Sequence, residues 1–271
     1  MDQALLGSSV PAGTPTDRTD QGVSAVSTTN ITAVITGASS GIGLGIAEAF
    51  LARGANVVIN GRDADRLRKA AAHLGQSARV AQVAGGIGDA ATGEALVRAA
   101  VERFGGVDVL VNNAGTFAPK PFTEVTEEEL DGYLAGNLKG TYLTTQAVVR
   151  RMREQGRGGS IVNIGTVLVD HAIAGFPASA PVVSKGGVHT LTTSLAAELA
   201  ADGIRVNLVA PGVVRTPLHD AADVDSYGGL ALLDRVGEVA EIAEAVVYLA
   251  DAEFVTGHAL RVDGGHVTGR A

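Results

Sequence analysis

The chain of 271 residues contains no cysteine, which excludes disulfide bonds and thiolate metal ligands. Its six histidines are not spaced as ligands of one ion, so we expect no metal site. Because there is no disulfide for an oxidising compartment to maintain, the default expectation is a cytoplasmic protein.

Positive charge and long apolar runs are also scarce. Lysine and arginine total 21 against 29 acidic residues, which gives a net charge of −8 and a pI near 5.2. This balance argues against nucleic acid or an anionic membrane surface as a partner. No apolar run reaches the roughly 18 residues of a membrane-spanning helix. Residues 1–30 lack the pattern of a signal peptide and have the Ser, Thr, Gly, Pro and Asp content of a flexible tail.

Short runs rich in valine and isoleucine alternate with longer segments of helical pattern. These runs are almost continuously apolar, as expected for parallel strands that helices cover on both faces. The candidate strands span residues 31–36, 56–60, 78–84, 107–112, 160–165, 204–210 and 259–264. Helical patterns cover residues 41–53, 63–74, 89–104, 126–155, 181–201 and 238–250. The order predicts an α/β fold: a Rossmann-type, doubly wound sheet of seven parallel strands in a three-layer α/β/α sandwich.

Length and a hydrophobic content of 46% suit one large domain, which we expect to be a dinucleotide-binding domain spanning residues 31–271. The connection from about residue 216 to 235 is the one long segment of mixed character. Since long connections at strand ends often close over ligands, it is predicted to be a substrate lid.

The segment "ITAVITGASSGIGLGIAEAF" joins the first strand to the first helix. Gly37, Gly41 and Gly43 allow a tight turn and a close approach to a pyrophosphate, which the N–H groups at the helix start would bind. Such turns also serve packing alone, but the position after the first strand favours a dinucleotide.

The second strand ends in "NGRDADR", where a dinucleotide site meets the adenosine ribose. An acidic residue would bind a 2′-hydroxyl, whereas Arg62 with Ser39 or Ser40 suits a 2′-phosphate. The alternative is a solvated arginine at a helix start. The residues favour NADP(H) over NAD(H).

Several motifs in order resemble the short-chain dehydrogenase/reductase family in its single-domain form. "TGASSGIG" is similar to its cofactor loop and "NNAG" (112–115) to its marker after the fourth strand. "NLKGTYL" places Asn137 at the family's active-site asparagine, and "SIVNIGT" places Thr166 where the family usually has its catalytic serine. "VSKGGVHTLTTSLAAELAADGIRVNLVAPGVVRTPL" and "VTGHALRVDGG" match the later segments. The resemblance covers about residues 30–267.

The resemblance implies roles for individual positions. Residues implied to line the pyrophosphate are Gly37, Ser39, Gly41, Ile42 and Gly43. Residues implied to flank the adenosine ribose and hold the central strand are Asn113, Ala114 and Gly115. Residues implied to border the nicotinamide carboxamide and the diphosphate are Pro211, Gly212, Val214 and Thr216. Lys185 would hold the nicotinamide ribose, and Asn137 would position a water that links this lysine to solvent. The helical segments 126–155 and 181–201 would pack across two-fold axes into a homodimer or homotetramer.

Two positions depart from the family pattern. The family has a proton-donating tyrosine four residues before the lysine, where this chain has Pro181, and proline has no proton to give. Gly86 stands where the family usually has an adenine-binding aspartate, so cofactor affinity should be weaker. As local structure, Ser179 is expected to cap the helix and Pro181 to fit its first turn.

Other side chains could supply the proton. The four tyrosines are Tyr133, Tyr142, Tyr227 and Tyr248. The helical pattern favours packing roles for three of them, and Tyr227 falls on the expected lid, facing solvent or reaching inward. His171 is the preferred surrogate acid, because an ordinary histidine pKa suits proton exchange near neutral pH. The alternative for His171 is a polar loop residue without catalytic duty.

Three functions follow from these residues. The first is an NADP(H)-dependent oxidoreductase with an altered proton route, which reduces a C=O, C=N or activated C=C group of a small substrate. The second is a lyase, isomerase or cyclase that uses Thr166, His171 and Lys185 for acid–base chemistry. The third is a catalytically silent NADP(H)-binding protein. We favour the first.

Overall fold

The computed structural model describes residues 31–217 and 223–269. The expected N-terminal tail and residues 218–222 of the expected lid lie outside the described residues. No helix of the described part has the length and hydropathy that crossing a membrane requires.

The described chain alternates strands and helices as the sequence predicts. The strands are β1 (Thr32–Ile35), β2 (Asn56–Gly61), β3 (Val80–Ala84), β4 (Val109–Asn112), β5 (Gly159–Ile164), β6 (Ile204–Pro211) and β7 (Ala259–Val262). The helices are α1 (Gly41–Ala52), α2 (Ala64–Leu74), α3 (Ala90–Phe104), α4 (Glu127–Tyr133), α5 (Gly140–Gln155), α6 (Ser179–Glu198) and α7 (Val239–Asp251).

The seven strands form one parallel sheet in the order β3-β2-β1-β4-β5-β6-β7. The predicted doubly wound fold is therefore confirmed. After β3 the chain crosses to the other half of the sheet, so the strand order reverses between the neighbouring strands β1 and β4. In open sheets of this kind the crevice at that reversal, outside the carboxyl ends of the strands, binds ligands.

Alternate residues of each central strand face opposite sides of the sheet. Ala33 and Ile35 belong to a buried cluster with residues of α1, α2 and α7, whereas Val34 belongs to a second cluster with residues of α3 and α5. All three side chains are fully buried. A strand covered on both faces needs apolar residues at every position, which explains its continuous apolar sequence.

The predicted helix over residues 126–155 is interrupted. A π-helical turn spans Leu134–Lys139 between α4 and α5, and Asn137 lies within this turn. Thr126 caps α4, since its hydroxyl accepts a hydrogen bond from the Glu129 backbone N–H (3.2 Å). The Glu129 carboxylate in turn accepts a hydrogen bond from the Thr126 backbone N–H. Single π-helical turns often occur at functional sites because they redirect a side chain.

The predicted Ser179 cap is wrong. Helix α6 begins at Ser179 itself, and its N-cap is Ala178, which has no capping side chain. Pro181 is the third residue of the helix, inside the first turn, as expected. There a missing backbone N–H costs nothing, because the first N–H groups of a helix have no partner within it.

Candidate cofactor and active site

The loop between β1 and α1 has a backbone that only glycine readily adopts. Gly37 and Gly41 have φ angles of +64° and +56°. At Gly43, an added Cβ would lie 2.4 Å from Asn113 Nδ2 and 2.5 Å from Gly37 O. Gly37 and Gly41 are therefore required by their left-handed backbone, and Gly43 by the lack of room for a side chain.

The same loop presents the start of α1 to the crevice. Ser40 is the N-cap of α1, but its side chain accepts no hydrogen bond from the helix, and no acidic residue occupies the first turn. The N–H groups at the beginning of a helix lack partners within it and attract anions. The site therefore fits the pyrophosphate of a dinucleotide cofactor.

Asn113 and Ala114 hold this loop from the end of β4. The Asn113 side chain donates to the carbonyl oxygens of Thr36 and Gly37, each at 3.0 Å. The backbone N–H groups of Asn113 and Ala114 both donate to Thr36 Oγ1 at 3.0 Å. The "NNAG" segment thus holds the glycine loop between β1 and α1 in place through four hydrogen bonds.

Substituting Gly43→Ala should disrupt the loop. Its methyl group would overlap Asn113 Nδ2 and the Gly37 carbonyl, so we expect unfolding free energy to fall by about 1–3 kcal/mol. Chemical denaturation of the purified variants measures this. The control is Gly132→Ala in α4, where a Cβ meets open space and should change stability by at most about 1 kcal/mol. Equal effects of the two variants would contradict this description of the loop.

A polar corner lies where β2 meets the loop. Ser39 Cβ and Oγ lie 3.1 and 3.2 Å from the position of a Cβ on Gly61, so a larger residue there would displace Ser39. Arg62 follows directly and is exposed. Arg66, which the sequence did not single out, places Nη2 3.5 Å from Ser40 Oγ.

Asn137 lies at the centre of a buried hydrogen-bond network. Its Oδ1 accepts from the Thr116 N–H (2.8 Å), and its Nδ2 donates to the Thr116 carbonyl (3.0 Å) and to Ser184 Oγ (2.9 Å). Ser184 is fully buried and donates to the Pro181 carbonyl at 2.8 Å. The network joins the π-helical turn to the first turns of α6. Sequence reasoning missed Ser184.

Lys185 follows Ser184 on α6 and reaches the end of β5. Its Nζ donates to the Ile164 carbonyl at 2.7 Å. Burial lowers the pKa of Lys185 from 10.5 to about 8. A Cβ on Gly115 would lie 3.0 Å from Asn137 Oδ1 and 3.3 Å from Lys185 Nζ, so Asn137, Gly115 and Lys185 converge. A half-buried lysine with a lowered pKa at a strand end is typical of a functional site.

Pro181 lies one helical turn before Lys185. Residues four apart on a helix share a face, and Pro181 is buried. Its carbonyl oxygen accepts a hydrogen bond from the Ser184 hydroxyl, but its ring carries no group that can exchange a proton.

The segment after β5 carries Thr166 and His171. Thr166 Oγ1 accepts from the Leu168 N–H (3.3 Å) and caps a short 3₁₀ turn over Val167–Val169. The His171 ring meets the His266 ring edge to face, with 5.6 Å between centroids. Neighbouring Asp170 forms an ion pair with Arg261.

The four tyrosines do not share a common environment. Tyr133 donates its hydroxyl hydrogen to the Ala118 carbonyl at 3.2 Å. Tyr142 and Tyr248 are more than half exposed, so the packing roles predicted for them are wrong. Tyr227 is 38% exposed in a 3₁₀ segment of the expected lid, Val224–Leu230.

The predicted segment after β6 lies against the loop. Pro211 ends β6, and the Gly212 N–H donates to the Val262 carbonyl at 3.0 Å. Val214 is buried, and its backbone pairs with that of Gly237 in an isolated parallel β-bridge. A Cβ on Gly41 would lie 3.5 Å from Thr216 Cβ, which places this segment beside the glycine turn.

His189, one turn beyond Lys185, is a further residue that sequence reasoning missed. A Cβ on Gly165 would lie 2.7 Å from His189 Nε2, an atom without a hydrogen-bond partner among the described residues. Burial lowers the pKa of His189, and Asp170 opposes this effect. Within residues 31–217 and 223–269, no three His, Asp or Glu side chains form a group that could hold a metal ion.

Comparisons with known proteins match nearly the whole described chain. A family model described as enoyl-(acyl carrier protein) reductase matches residues 37–267. L-rhamnose 1-dehydrogenase (NAD(P)(+)) from Azotobacter vinelandii is 37% identical over 246 residues, which cover 86% of this chain and 95% of that protein. An NADP-dependent (R)-specific alcohol dehydrogenase from Lentilactobacillus kefiri is 37% identical over 243 residues, with the same coverage of 86% and 95%.

Solved structures agree with these relatives. The crystal structure of a short-chain type dehydrogenase/reductase from Mycobacterium marinum superposes with a TM-score of 0.85 at 30% identity. The match covers 89% of this chain and 97% of that one. The sheet, the loop and the helices that carry the site thus have counterparts of known structure.

Proposed function

The chain belongs to the short-chain dehydrogenase/reductase family of oxidoreductases, and from that premise we propose that it is an NADP(H)-dependent enzyme with an altered proton-donor site. It reduces a C=O, C=N or activated C=C group of a small substrate. The observation that carries the proposal is that Asn137, Gly115 and Lys185 converge at the end of β5, while Pro181, one helical turn before Lys185, has no proton to give.

The cofactor would lie along the crevice at the carboxyl ends of the strands. Residues that would bind its pyrophosphate are Gly37, Ser39, Gly41, Ile42 and Gly43. Asn113, Ala114 and Gly115 would flank the adenosine ribose, and Pro211, Gly212, Val214 and Thr216 would border the nicotinamide end. A bound nicotinamide supplies the hydride for reduction and accepts it in the reverse direction. Arg62 with Ser39 or Ser40 would bind a 2′-phosphate, which is the reason to propose NADP(H) rather than NAD(H).

Lys185 and Asn137 would have separate duties. The Lys185 ammonium would bind the nicotinamide ribose hydroxyls as a hydrogen-bond donor. Asn137 would act through the hydrogen bond that its Nδ2 donates to Ser184 Oγ, because this bond fixes the first turn of α6 relative to the π-helical turn. Thr166 would donate its hydroxyl to a substrate oxygen, and His171 would supply a proton from the segment that follows.

Without the tyrosine, substrates that need no oxygen protonation should react best. General acid catalysis contributes about 10²- to 10⁴-fold, so ketone reduction should be slow. An iminium carbon that accepts hydride becomes a neutral amine, and no side chain has to donate a proton. A conjugated enone needs its oxygen stabilised first, for which the Thr166 hydroxyl is suited, and its carbon protonated later by water or His171.

A substrate panel tests this proposal. NADPH oxidation by the purified protein is followed by absorbance with cyclic iminium ions, activated enones and simple ketones of matched size. We expect kcat/KM for the iminium ions or enones to exceed that for ketones by about 10²-fold or more. Equally fast reduction of simple ketones would overturn the altered proton route.

A silent cofactor-binding protein is the second candidate, and Pro181 together with Gly86 favours it. Binding of NADPH without turnover of any substrate in the panel would support it. Product formation without a change in NADPH absorbance would instead indicate a lyase, isomerase or cyclase that uses Thr166, His171 and Lys185.

We further propose a homodimer or homotetramer assembled through α5 and α6. Tyr142 on α5 is 51% exposed and Val183 on α6 is 61% exposed. Such apolar surface on the helices that pair in the family would be covered by a second copy. Sedimentation of the purified protein tests this, and a monomer at micromolar concentration would contradict it.

A further inference from the structure

Two histidines from distant parts of the chain lie against each other beside the expected substrate pocket. His171 follows β5 and the 3₁₀ turn over Val167–Val169, and His266 follows β7. Their ring planes meet at 84°, with 5.6 Å between the centroids. Aromatic rings prefer this edge-to-face arrangement, and it fixes the plane of one ring relative to the other. The orientation of the His171 imidazole therefore depends on His266.

The backbone around His266 is held in a turn that its own hydrogen bonds close. Asp263 Oδ1 accepts a hydrogen bond from the Gly265 N–H, and Asp263 Oδ2 accepts one from the Val267 N–H, each at 3.0 Å. The His266 N–H donates to the Asp263 carbonyl at 3.2 Å. Val267 also packs against the buried cluster that contains Val167, which lies just before His171. The turn therefore gives the His266 ring a fixed place beside the segment that carries His171.

The carboxylate next to His171 in the sequence is engaged elsewhere. Asp170 Oδ2 accepts a hydrogen bond from Arg261 Nε at 2.9 Å, within an ion pair. A histidine that transfers protons is commonly oriented by a third group, often a carboxylate. Over the described residues, no carboxylate forms an ion pair with His171 within 4.0 Å. The neighbour left to orient His171 is the His266 ring.

The two rings differ in their access to solvent. His266 is buried, whereas His171 is half-buried. Burial and the nearby His171 lower the pKa of His266, while Asp263 opposes them. Two rings in contact do not readily carry two positive charges, so the proton of the pair belongs on His171, which can exchange it with solvent. His266 Nε2 has no hydrogen-bond partner in the described part of the chain, so no bond from this nitrogen competes with the ring contact.

We propose that His266 is a positioning residue that orients the His171 imidazole for proton transfer to the α-carbon of an enone substrate. Hydride from NADPH adds to the β-carbon and leaves an enolate. The proton then passes from His171 to the α-carbon, and solvent reprotonates the neutral His171. The inference rests on the proposed function and names His171, rather than water, as the donor. His266 acts through His171 and needs no contact with the substrate.

Turnover of two substrates by one set of variants tests this role. An enone needs the proton and a cyclic iminium ion does not. His266→Ala should therefore lower kcat for the enone about 10-fold or more and leave kcat for the iminium ion within about 2-fold. His266→Phe keeps an aromatic ring in the same place, so kcat for the enone should stay within about 3-fold of the wild type. His258→Ala is the matched control, because this exposed histidine directly precedes β7, and it should change neither rate.

NMR titration of the imidazole signals gives a second readout that needs no substitution at residue 266. His171→Phe removes a like charge beside His266, so the pKa of His266 should be higher in this variant than in the wild type. An unchanged pKa of His266 would show that the two rings do not interact in solution and would overturn the inference.

The remaining outcomes separate this inference from the proposed function. If His171→Phe leaves kcat for the enone unchanged, or if the wild type reduces no enone, the His171 proton route fails and the inference fails with it. Turnover of the iminium ion then shows whether the oxidoreductase proposal still stands. If His171→Phe lowers kcat for the enone about 10²-fold but His266→Ala does not, only the role of His266 is overturned. Equal losses for both substrates in His266→Ala, or a folded His266→Phe as slow as His266→Ala, would also overturn it.

Discussion

Replacing Pro181 with tyrosine is expected to raise the rate of ketone reduction with NADPH by about 10²- to 10⁴-fold, the usual contribution of a general acid. The substitution places a phenol one helical turn before Lys185, whose ammonium favours the phenolate and so lowers the phenol pKa toward neutral pH. The helix should accept the change, because the third residue of α6 needs no proline and gains an ordinary N–H.

Pro181→Phe is the matched control for this gain. It adds the same ring to the same buried position without the hydroxyl. Steady-state kcat/KM for a simple ketone should rise in Pro181→Tyr alone, while thermal unfolding of both variants shows whether the ring is accommodated. Equal rates for folded Pro181→Tyr and Pro181→Phe would mean that more than the proton donor has been lost.

Replacing Lys185 with methionine should lower kcat/KM for the best iminium or enone substrate by about 10²-fold or more, since the ammonium that would orient the nicotinamide ribose is lost. Methionine is similar in length and keeps the apolar packing of the lysine stem. Lys69→Met, on the exposed face of α2, is the control and should retain full activity. Full activity in Lys185→Met would remove this residue from the site.

The same variant gives a stability difference that depends on pH. The folded protein releases the Lys185 proton near pH 8, whereas the unfolded chain holds it to about pH 10.5. Between these values the unfolded state binds more protons, so wild-type stability rises with pH relative to Lys185→Met. Below pH 8 the folded protein carries the full cost of burying the ammonium. Between pH 8 and pH 10.5 this cost is removed, which raises the unfolding free energy by at most about 3 kcal/mol. Urea denaturation at about pH 7 and about pH 9.5 measures the difference; a constant difference contradicts the lowered pKa.

The fold followed from the sequence because two local signals were unambiguous, the continuous apolar runs and the glycines after the first of them. Ala33, Val34 and Ile35 are apolar without alternation, which only a strand covered on both faces requires. The glycines at 37, 41 and 43 predicted a turn that the positive φ angles at two of them confirm. These signals are local, so no tertiary information was needed to interpret them.

The details of the site depended on contacts between distant residues. The π-helical turn at Asn137 adds one residue to a helical turn, a change that apolar periodicity over 126–155 cannot resolve. Ser184 looks like an ordinary polar helix residue until the packing against Asn137 shows that it is buried. Arg66 acquires its position only through Ser40, which is 26 residues away in the chain.

A crystal structure with NADP⁺ and a substrate analogue bound tests the altered proton route most directly. The quantity to measure is the distance from the reacting atom of the analogue to every ionisable side chain. The account predicts Lys185 on the nicotinamide ribose, Pro181 facing the reacting atom, and no tyrosine hydroxyl within hydrogen-bonding distance of it. A hydroxyl of Tyr133 or Tyr227 hydrogen-bonded to that atom would show that a tyrosine from another part of the chain serves as the proton donor. That result would contradict the account.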